Sequence, residues 1–350
     1  MQCQNLHKME KMYLQLNKKT SVGLVLIFLA LTTFFSCVKN KPPVTDNTTT
    51  PYVIDVPKGF PIIVYNPNNP MTKEGVELGR KLYYDPIISN DGRSCSQCHF
   101  QANGFTTFAS NALVHANLAW STNFLWKGEV SGTLEDQMVF EVTKFFETDV
   151  SKLNNNEEYK QLFKKAFNVT TITQKDVAYG LAQFFRGLVS YNSKFDKFLR
   201  GEEDLSPSEL NGFILFTTEK GDCFHCHSIP LTTDNAFRNI GLDSVYNSNN
   251  WGRYEITHNP LDKGKFKVPT LRNIELSAPY MHDGRFATLA EVIEHYNSGV
   301  KVSTTIDPIM TKAGKEYGLK LSVQEKKDLI SFLKTLTDTS FINNKAFSKP

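Results

Sequence analysis

The chain has 350 residues, of which 40% are apolar, 12% aromatic and 21% charged. This composition is typical of a globular protein with enough chain for about two domains, and it excludes a disordered chain, a collagen and a polytopic membrane protein. The formal net charge of +3 comes from lysines within the first 19 residues, so the rest of the chain is close to neutral. A neutral body argues against nucleic acid as a partner.

The N-terminal segment has the features of an export signal. Two lysines precede a 14-residue, mostly apolar run from Val22 to Phe35. At about 1.5 Å per residue this run is shorter than a bilayer core of roughly 30 Å, so it predicts a signal peptide rather than a spanning helix. Ser36 before Cys37 resembles a bacterial lipoprotein cleavage site, and cleavage nearby without lipidation is the alternative. We predict a lipoprotein signal peptide over residues 1–37, with Cys37 lipidated and the body anchored on the periplasmic side of the bacterial envelope.

The remaining chain divides into a tether and a helical body. Residues 38–60 begin with a stretch rich in Thr, Asn, Lys and Pro, which predicts a polar tether. Beyond it, apolar residues recur at spacings of three and four, whereas alternating strand patterns are few. Hydroxyl residues followed three positions later by an acid predict helix starts at five places, namely Thr133, Thr173, Ser206, Thr288 and Ser322. The sequence therefore predicts an all-α fold.

Four of the six cysteines form two CxxC pairs, each followed directly by histidine. The motifs are Cys95, Cys98 and His99 in the first case and Cys223, Cys226 and His227 in the second. CxxCH is the signature of c-type haem attachment, in which the thiols bond the haem and the histidine binds its iron. A redox CxxC pair would not need the histidine, and a zinc site would need four converging ligands. We therefore predict two covalent haems, with both histidines as iron ligands.

The spacing of the two motifs predicts one haem domain around each. They lie 128 residues apart, which suits one compact domain per motif. We predict an N-terminal haem c domain over residues 61–200 and a C-terminal haem c domain over residues 201–340. The polar segment Arg200–Asp204 is the natural linker between them.

Three further segments resemble the bacterial dihaem cytochrome c peroxidase family, which includes the MauG-type enzymes of methylamine utilisation. They are Leu78–Pro86, Val268–Glu275 and Ala278–Leu289, and the resemblance extends from about residue 69 to residue 336. The resemblance implies two c-type cytochrome domains packed with pseudo-twofold symmetry. It also implies that the first haem is peroxidatic and that the second relays electrons.

The resemblance implies roles for three residues near the first haem. Trp126 matches the tryptophan that lies between the haems, although core packing of Trp126 and a shifted alignment onto Trp120 are alternatives. Gln137 and Glu147 keep the family's ten-residue spacing between a glutamine and the glutamate that acts as acid and base in peroxide cleavage. A proline that the family usually carries between them is replaced by Glu141.

The residues expected on the far side of each iron differ between the two haems. The loop from Phe100 to Ser110 lacks the histidine that closes the first haem in some family members, so the resemblance implies an open first iron. His115, just beyond, is expected to pack rather than ligate. Tyr296 stands where the peroxidases carry a methionine ligand of the second haem, which matches the MauG-type branch; Met281 is the alternative ligand, and His282 is expected to orient this pocket.

The resemblance also implies an interdomain Ca²⁺ bound by backbone carbonyls. The corresponding positions are Asn111, Ser277 and Pro279, and carbonyl oxygen suits a hard cation.

The leading hypothesis is a dihaem c-type peroxidase that reduces H₂O₂ at an open first haem. Its electrons would come from a small cytochrome or a cupredoxin and pass through the second haem. An open iron permits peroxide chemistry, whereas a closed one gives electron transfer. A MauG-like enzyme that oxidises side chains of a partner protein and a non-enzymatic dihaem electron carrier are the alternatives.

Overall fold

The structure is a computed structural model that describes residues 49–107, 111–316 and 318–350. The predicted signal peptide, Cys37 and the first part of the predicted tether lie outside the described residues. Within these ranges no helix is both long and apolar enough to cross a bilayer. The lipid anchor therefore stays a prediction from the sequence.

Helices and short helical turns dominate the described chain, which confirms the mostly helical prediction. Each of the five predicted capping boxes begins a helix. The helices are α1 Lys73–Tyr84, α2 Leu134–Phe140, α3 Val150–Asn154, α4 Glu157–Phe167, α5 Gln174–Gly187, α6 Lys194–Arg200, α7 Pro207–Phe216, α8 Tyr254–Thr257, α9 Leu289–Glu294, α10 Val323–Lys334 and α11 Thr339–Ile342. Two antiparallel pairs of two-residue strands complete the fold: β1 Asn123–Phe124 with β2 Val130–Ser131, and β3 Phe237–Arg238 with β4 Phe266–Lys267.

Two large apolar cores surround the two CxxCH motifs. The first core includes Cys95 and draws on α1, α2, α4 and α5. The second core draws on α6, α7, α9 and α10, and Cys223 packs against it. The predicted domain boundary after residue 200 and the pseudo-twofold arrangement remain predictions.

The helix that leads into each motif crosses a later helix at a glycine. On α1, a Cβ atom added to Gly79 would lie 2.0 Å from the carbonyl oxygen of Gly180 on α5. On α7, a Cβ atom added to Gly212 would lie 2.0 Å from the carbonyl oxygen of Asp328 on α10. Glycine is required at both crossings because any side chain would overlap backbone. In both cases, therefore, the helix that precedes a CxxCH motif packs closely on a later helix at a glycine.

Residues 341–347 pack on the first core. Phe341 on α11 packs edge-on against Phe105, with ring centroids 5.4 Å apart. Gln101 donates from its side-chain amide to the carbonyl oxygen of Asn344 at 2.8 Å, and the Tyr84 hydroxyl donates to the carbonyl oxygen of Phe347 at 2.7 Å. The loop after the first motif and the end of α1 are therefore both held by residues 341–347.

The later part of the predicted tether lies on the folded body. The backbone N–H of Tyr52 donates to the carbonyl oxygen of Met71 at 3.0 Å, and Pro51 forms an isolated bridge with Thr72. Ile54 is buried with Met71 and Val189. The polar composition of the first part of residues 38–60 did not indicate this, but the later part carries apolar side chains, and Tyr52 and Val56 pack against the same cluster as Ile54.

A buried ion pair fixes the helices on either side of the first motif. Glu135 on α2 accepts two hydrogen bonds from one guanidinium nitrogen of Arg186 on α5, at 2.7 and 2.8 Å. Asn69 donates to the same carboxylate at 2.8 Å. Buried charges are tolerated when they are paired and hydrogen-bonded in this way. The pair sets the position of α2, which carries Gln137 toward the first motif.

Candidate active site

Both CxxCH motifs fold into the same tight turn. The first motif opens with the turn Cys95–Gln97, and the backbone N–H of His99 donates to the carbonyl oxygen of Cys95 at 3.0 Å. In the second motif the N–H of His227 donates to the carbonyl oxygen of Cys223 at 2.9 Å. One turn of this kind brings two thiols and the following imidazole to one cavity.

Each motif histidine is held through Nδ1 by a backbone carbonyl. His99 Nδ1 lies 2.8 Å from the carbonyl oxygen of Phe105, and His227 Nδ1 lies 2.9 Å from that of Thr232. Both accepting carbonyls belong to residues with a positive φ, 65° at Phe105 and 55° at Thr232. A proton on Nδ1 leaves Nε2 as the basic nitrogen, which is the tautomer of an iron-binding histidine. The two sites thus fit a haem iron.

The first cavity has a volume of about 540 Å³ and contains the first motif. Burial lowers the pKa of His99 to about 4, so the ring is neutral and able to bind metal. The side chains of Trp126, Gln137, Met138 and Glu141 contribute to its wall.

A hydrogen-bonded pair of polar side chains lies in this wall. Gln137 donates from Nε2 to Oε1 of Glu141 at 2.6 Å. Burial raises the pKa of Glu141 to about 7, with a smaller contribution from the negative charge of Glu129, while the Gln137 hydrogen bond acts in the opposite direction. The Oε1 atom of Gln137 is buried and has no hydrogen-bond partner among the described residues. A buried acceptor without a donor marks a place where a ligand could bond.

Glu147 lies apart from this pair. Its side chain is exposed, it does not line the first cavity, and its backbone has a positive φ of 48°. Its carbonyl oxygen accepts a hydrogen bond from the side chain of Asn90 at 2.7 Å. A five-residue π turn, Glu141–Phe145, follows α2 directly. Glu141 rather than Glu147 lines the cavity. The structure therefore does not bring Glu147 together with Gln137.

His115 stacks on the ring of His99. The ring centroids are 3.5 Å apart and the planes are inclined by 15°. The Tyr83 hydroxyl lies 3.3 Å from His115 Nδ1. Burial and the neighbouring His99 ring hold the pKa of His115 well below its usual value. His115 thus packs as a neutral ring beside the motif histidine.

The second cavity is narrower, with a volume of about 200 Å³, and contains His227 and both cysteines of the second motif. Tyr296 lines it, in the π turn His295–Gly299 that follows α9. Burial raises the pKa of the Tyr296 phenol well above its usual value. Met281 and His282 also line this cavity, and the His282 ring stacks on Phe266 at 3.5 Å between centroids.

Trp126 belongs to the walls of both cavities, as does Lys267. The indole N–H of Trp126 donates to the carbonyl oxygen of Asn111 at 2.7 Å, and its own carbonyl oxygen accepts from the N–H of Lys267 at 2.8 Å. Burial lowers the pKa of Lys267 to about 8. Trp120 lines the first cavity, and its indole N–H donates to the carbonyl oxygen of Pro61. Of the two tryptophans, Trp126 therefore lies where a bridge is expected.

The predicted calcium ligands are placed but untested. The Asn111 carbonyl accepts the Trp126 indole N–H, and the Ser277 hydroxyl donates to the carbonyl oxygen of Ile274 at 3.1 Å. Pro279 lies two residues beyond Ser277. The calcium site stays a prediction.

From the sequence we predicted both motifs, Trp126, Gln137 and Tyr296 as site residues, and we treated Glu141 only as a departure from the family pattern. A signal for Glu141 was present in the chain. Thr133 begins α2 and precedes Glu141 by eight residues, and Thr288 begins α9 and precedes Tyr296 by eight residues. Both residues therefore stand at the same distance from the start of a capped helix.

Comparisons with known proteins agree with this geometry. The family model of the di-haem cytochrome c peroxidases matches residues 73–204. The chain is 33% identical to the methylamine utilization protein MauG of Methylophilus methylotrophus over 291 residues, which cover 77% of this chain and 84% of the relative. It is 31% identical to the cytochrome c551 peroxidase of Nitrosomonas europaea over 300 residues, 79% of this chain and 83% of the relative.

Solved structures give the same result. The fold is similar to that of a MauG-like protein associated with microbial copper homeostasis, with a TM-score of 0.76 and 32% identity over 85% of this chain and 99% of that protein. The diheme peroxidase BthA from Burkholderia thailandensis shares the fold alone, with a TM-score of 0.63 and 16% identity over 80% of this chain and 91% of that protein. The fold, the paired motifs and these relatives together establish that the chain belongs to the di-haem cytochrome c peroxidase family.

Proposed function

We propose that this protein is a peroxidase of the envelope that reduces H₂O₂ to water with electrons from a small c-type cytochrome or a cupredoxin. Membership of the family makes it an oxidoreductase of the peroxidase type. The observation that carries the proposal is the contrast between the two cavities. One pairs a motif histidine with the polar side chains Gln137 and Glu141, and the other pairs a motif histidine with a tyrosine.

Two covalent haems are proposed as the cofactors. Cys95 and Cys98 would hold the first and Cys223 and Cys226 the second, with His99 and His227 as the iron ligands. The Nδ1 hydrogen bonds to backbone carbonyls support this, because they fix each ring and increase its basicity. When bound, haem iron supplies the redox chemistry, and the protein selects peroxide activation or electron transfer through the ligands it offers.

The second site is proposed as the electron relay, with Tyr296 as the second protein ligand of its iron. This assigns the chain to the tyrosine-ligand branch of the family. A phenolate is a hard anionic ligand that favours the ferric state. Trp126 is proposed as the bridge between the sites, which its place in both walls supports.

The chain's own side chains must also move protons. Reduction of one H₂O₂ consumes two protons and two electrons and yields two water molecules, so two molecules of a one-electron donor protein are oxidised. Cleavage of the O–O bond is faster when a positioned group transfers a proton between the oxygens. Gln137 lies in the first cavity, whereas the side chain of the predicted Glu147 is exposed.

Lipidation of Cys37 is proposed to hold the protein on the periplasmic side of the membrane, where a small donor protein can reach it. Covalent haem in the mature body is consistent with an exported protein. An interdomain Ca²⁺ at the carbonyls of Asn111, Ser277 and Pro279 completes the proposed set of cofactors.

The test is steady-state consumption of H₂O₂ by the purified holoprotein with a reduced small cytochrome c as donor. We expect oxidation of two donor molecules per peroxide, together with a ferric high-spin spectrum that shifts on addition of peroxide. A purely low-spin spectrum that peroxide does not change would rule out the proposal and would leave a dihaem electron carrier. Peroxide-dependent oxidation of a partner protein without donor oxidation would instead favour a MauG-like enzyme, whose name the 33% identical relative carries.

A further inference from the structure

We propose that Glu141 is the catalytic carboxylate of the first site, where it carries the proton between the two peroxide oxygens with Gln137 as its partner. The inference rests on the proposed peroxidase function and names the residue that performs its proton transfer. It also departs from the residue spacing of the family, which points to Glu147 instead.

The first argument is position. Glu141 and Tyr296 each stand eight residues after a threonine that caps a helix. Each belongs to a five-residue π turn that directly continues its helix, Glu141–Phe145 after α2 and His295–Gly299 after α9. π turns occur often at functional sites because they push a side chain out of the regular helical path. Counted from the capping threonine, Glu141 therefore stands at the same position as Tyr296, and both belong to the π turn that follows the helix.

The second argument is the hydrogen bonding of the pair. Glu141 Oε1 accepts from Gln137 Nε2 at 2.6 Å, which fixes the carboxylate in the cavity wall. The Gln137 Oε1 atom is buried without a partner among the described residues. A peroxide O–H can donate to that free amide oxygen. The pair thus offers an acceptor that orients peroxide and a carboxylate that takes its proton.

The carboxylate of Glu141 returns the proton that it takes up, and the two further protons that the reaction needs come from solvent. Glu141 takes the proton from the peroxide oxygen nearer the iron, and it returns that proton to the farther oxygen as the O–O bond breaks heterolytically. The farther oxygen leaves with two hydrogens as water. The other oxygen becomes the second water after two protons from solvent and two electrons from the donor proteins have been added. Glu141 ends each cycle in the form in which it began.

The third argument is the electrostatic setting of the carboxyl group. Other charged side chains in the wall of the first cavity are Arg93, Lys127, Glu129 and Lys267. Burial and Glu129 raise the pKa of Glu141 to about 7. A group that titrates near neutral pH can both accept and release a proton there, which is what an acid and base of this kind requires.

The experiment compares three variants of the holoprotein, Glu141→Gln, Glu141→Asp and Glu147→Gln, after haem content and far-ultraviolet circular dichroism have been matched to the wild type. We expect Glu141→Gln to lower kcat/KM for H₂O₂ by about 100-fold or more, as loss of an acid and base does. Glu141→Asp should recover part of that loss. The loss in Glu147→Gln should be much smaller than in Glu141→Gln. A larger loss in Glu147→Gln would overturn the proposal in favour of the spacing-based prediction.

Cyanide binding provides a readout that does not depend on turnover. Hydrogen cyanide binds ferric haem as the anion, so a nearby base that accepts its proton speeds binding. We expect the association rate of cyanide to fall at least tenfold in Glu141→Gln, with the ferric spin state unchanged. An unchanged cyanide rate would overturn the proposal, as would a change of spin state that identifies Glu141 as an iron ligand. If wild-type protein fails to reduce peroxide but shows the cyanide effect, the peroxidase function fails and the base assignment stands.

Discussion

The two cavities of this protein are built from similar local elements but are lined by different side chains. In both, the helix before the CxxCH turn packs on a later helix at a glycine. The Nδ1 atom of the motif histidine is held by the carbonyl oxygen of a residue with positive φ. A capped helix then continues directly into a π turn. Glu141 is the first residue of its π turn and Tyr296 is the second of its own, and each stands eight residues after the threonine that caps the helix. We therefore expect the chemistry of each site to depend on the residue that its π turn brings to the cavity.

The largest expected effect comes from removing the thiols of one motif at a time. The double variants Cys95→Ala/Cys98→Ala and Cys223→Ala/Cys226→Ala should each carry one covalent haem instead of two, measured by intact-protein mass spectrometry. Cyanide binding, which needs a free coordination position, should be lost in the first variant and kept in the second. Loss of cyanide binding in the second variant, with retention in the first, would show that the second site and not the first has the free coordination position.

The ligand of the second iron gives the next effect. Tyr296→Met should raise the reduction potential of one haem by on the order of a few tenths of a volt, because a thioether favours ferrous iron and phenolate favours ferric iron. Spectroelectrochemical titration measures both haems separately. Met281→Leu is the matched variant, since Met281 lines the same cavity. A shift in Met281→Leu without one in Tyr296→Met would identify Met281 as the ligand.

Substitution of the glycines at the two helix crossings tests whether both helix pairs depend on close backbone packing to the same extent. Gly79→Ala and Gly212→Ala each place a methyl group where backbone oxygen now lies, so each should lower the free energy of unfolding by about 1–3 kcal/mol. Urea denaturation of the holoprotein measures this. Gly187→Ala is the control, because its added Cβ would meet its nearest neighbour, the Tyr52 hydroxyl, at 3.9 Å. Equal losses in all three variants would show that steric overlap is not the cause.

The pH dependence of peroxide reduction gives the smallest effect. Glu141 must be ionised to accept a proton, and burial raises its pKa to about 7. The value of kcat/KM should therefore rise with pH, at most about tenfold per unit, and level off above neutrality. Glu129→Gln should move the midpoint to lower pH because it removes a neighbouring negative charge. A profile that is flat between pH 5 and 9 would contradict an acid and base at residue 141.

Local sequence patterns were sufficient to predict the helix starts and the motif turns. Which glutamate lines the first cavity could be determined only from the structure. Capping boxes and CxxCH depend on contacts within a few residues, so the sequence was sufficient to predict the helix starts at Thr133 and Thr288 and the two motif turns. Whether Glu141 or Glu147 faces the cavity depends on how many residues the turn after α2 contains. One extra residue in a helical turn rotates every later side chain, and composition carries no trace of it.

The contact of Phe341 with Phe105 links the first motif to a segment that lies more than 200 residues further along the chain. Phe105, whose carbonyl oxygen holds His99, packs against Phe341 with ring centroids 5.4 Å apart. A side chain remote in sequence thus supports the loop that orients the first motif histidine. Loss of the Phe341 ring should therefore weaken the first centre more than the second.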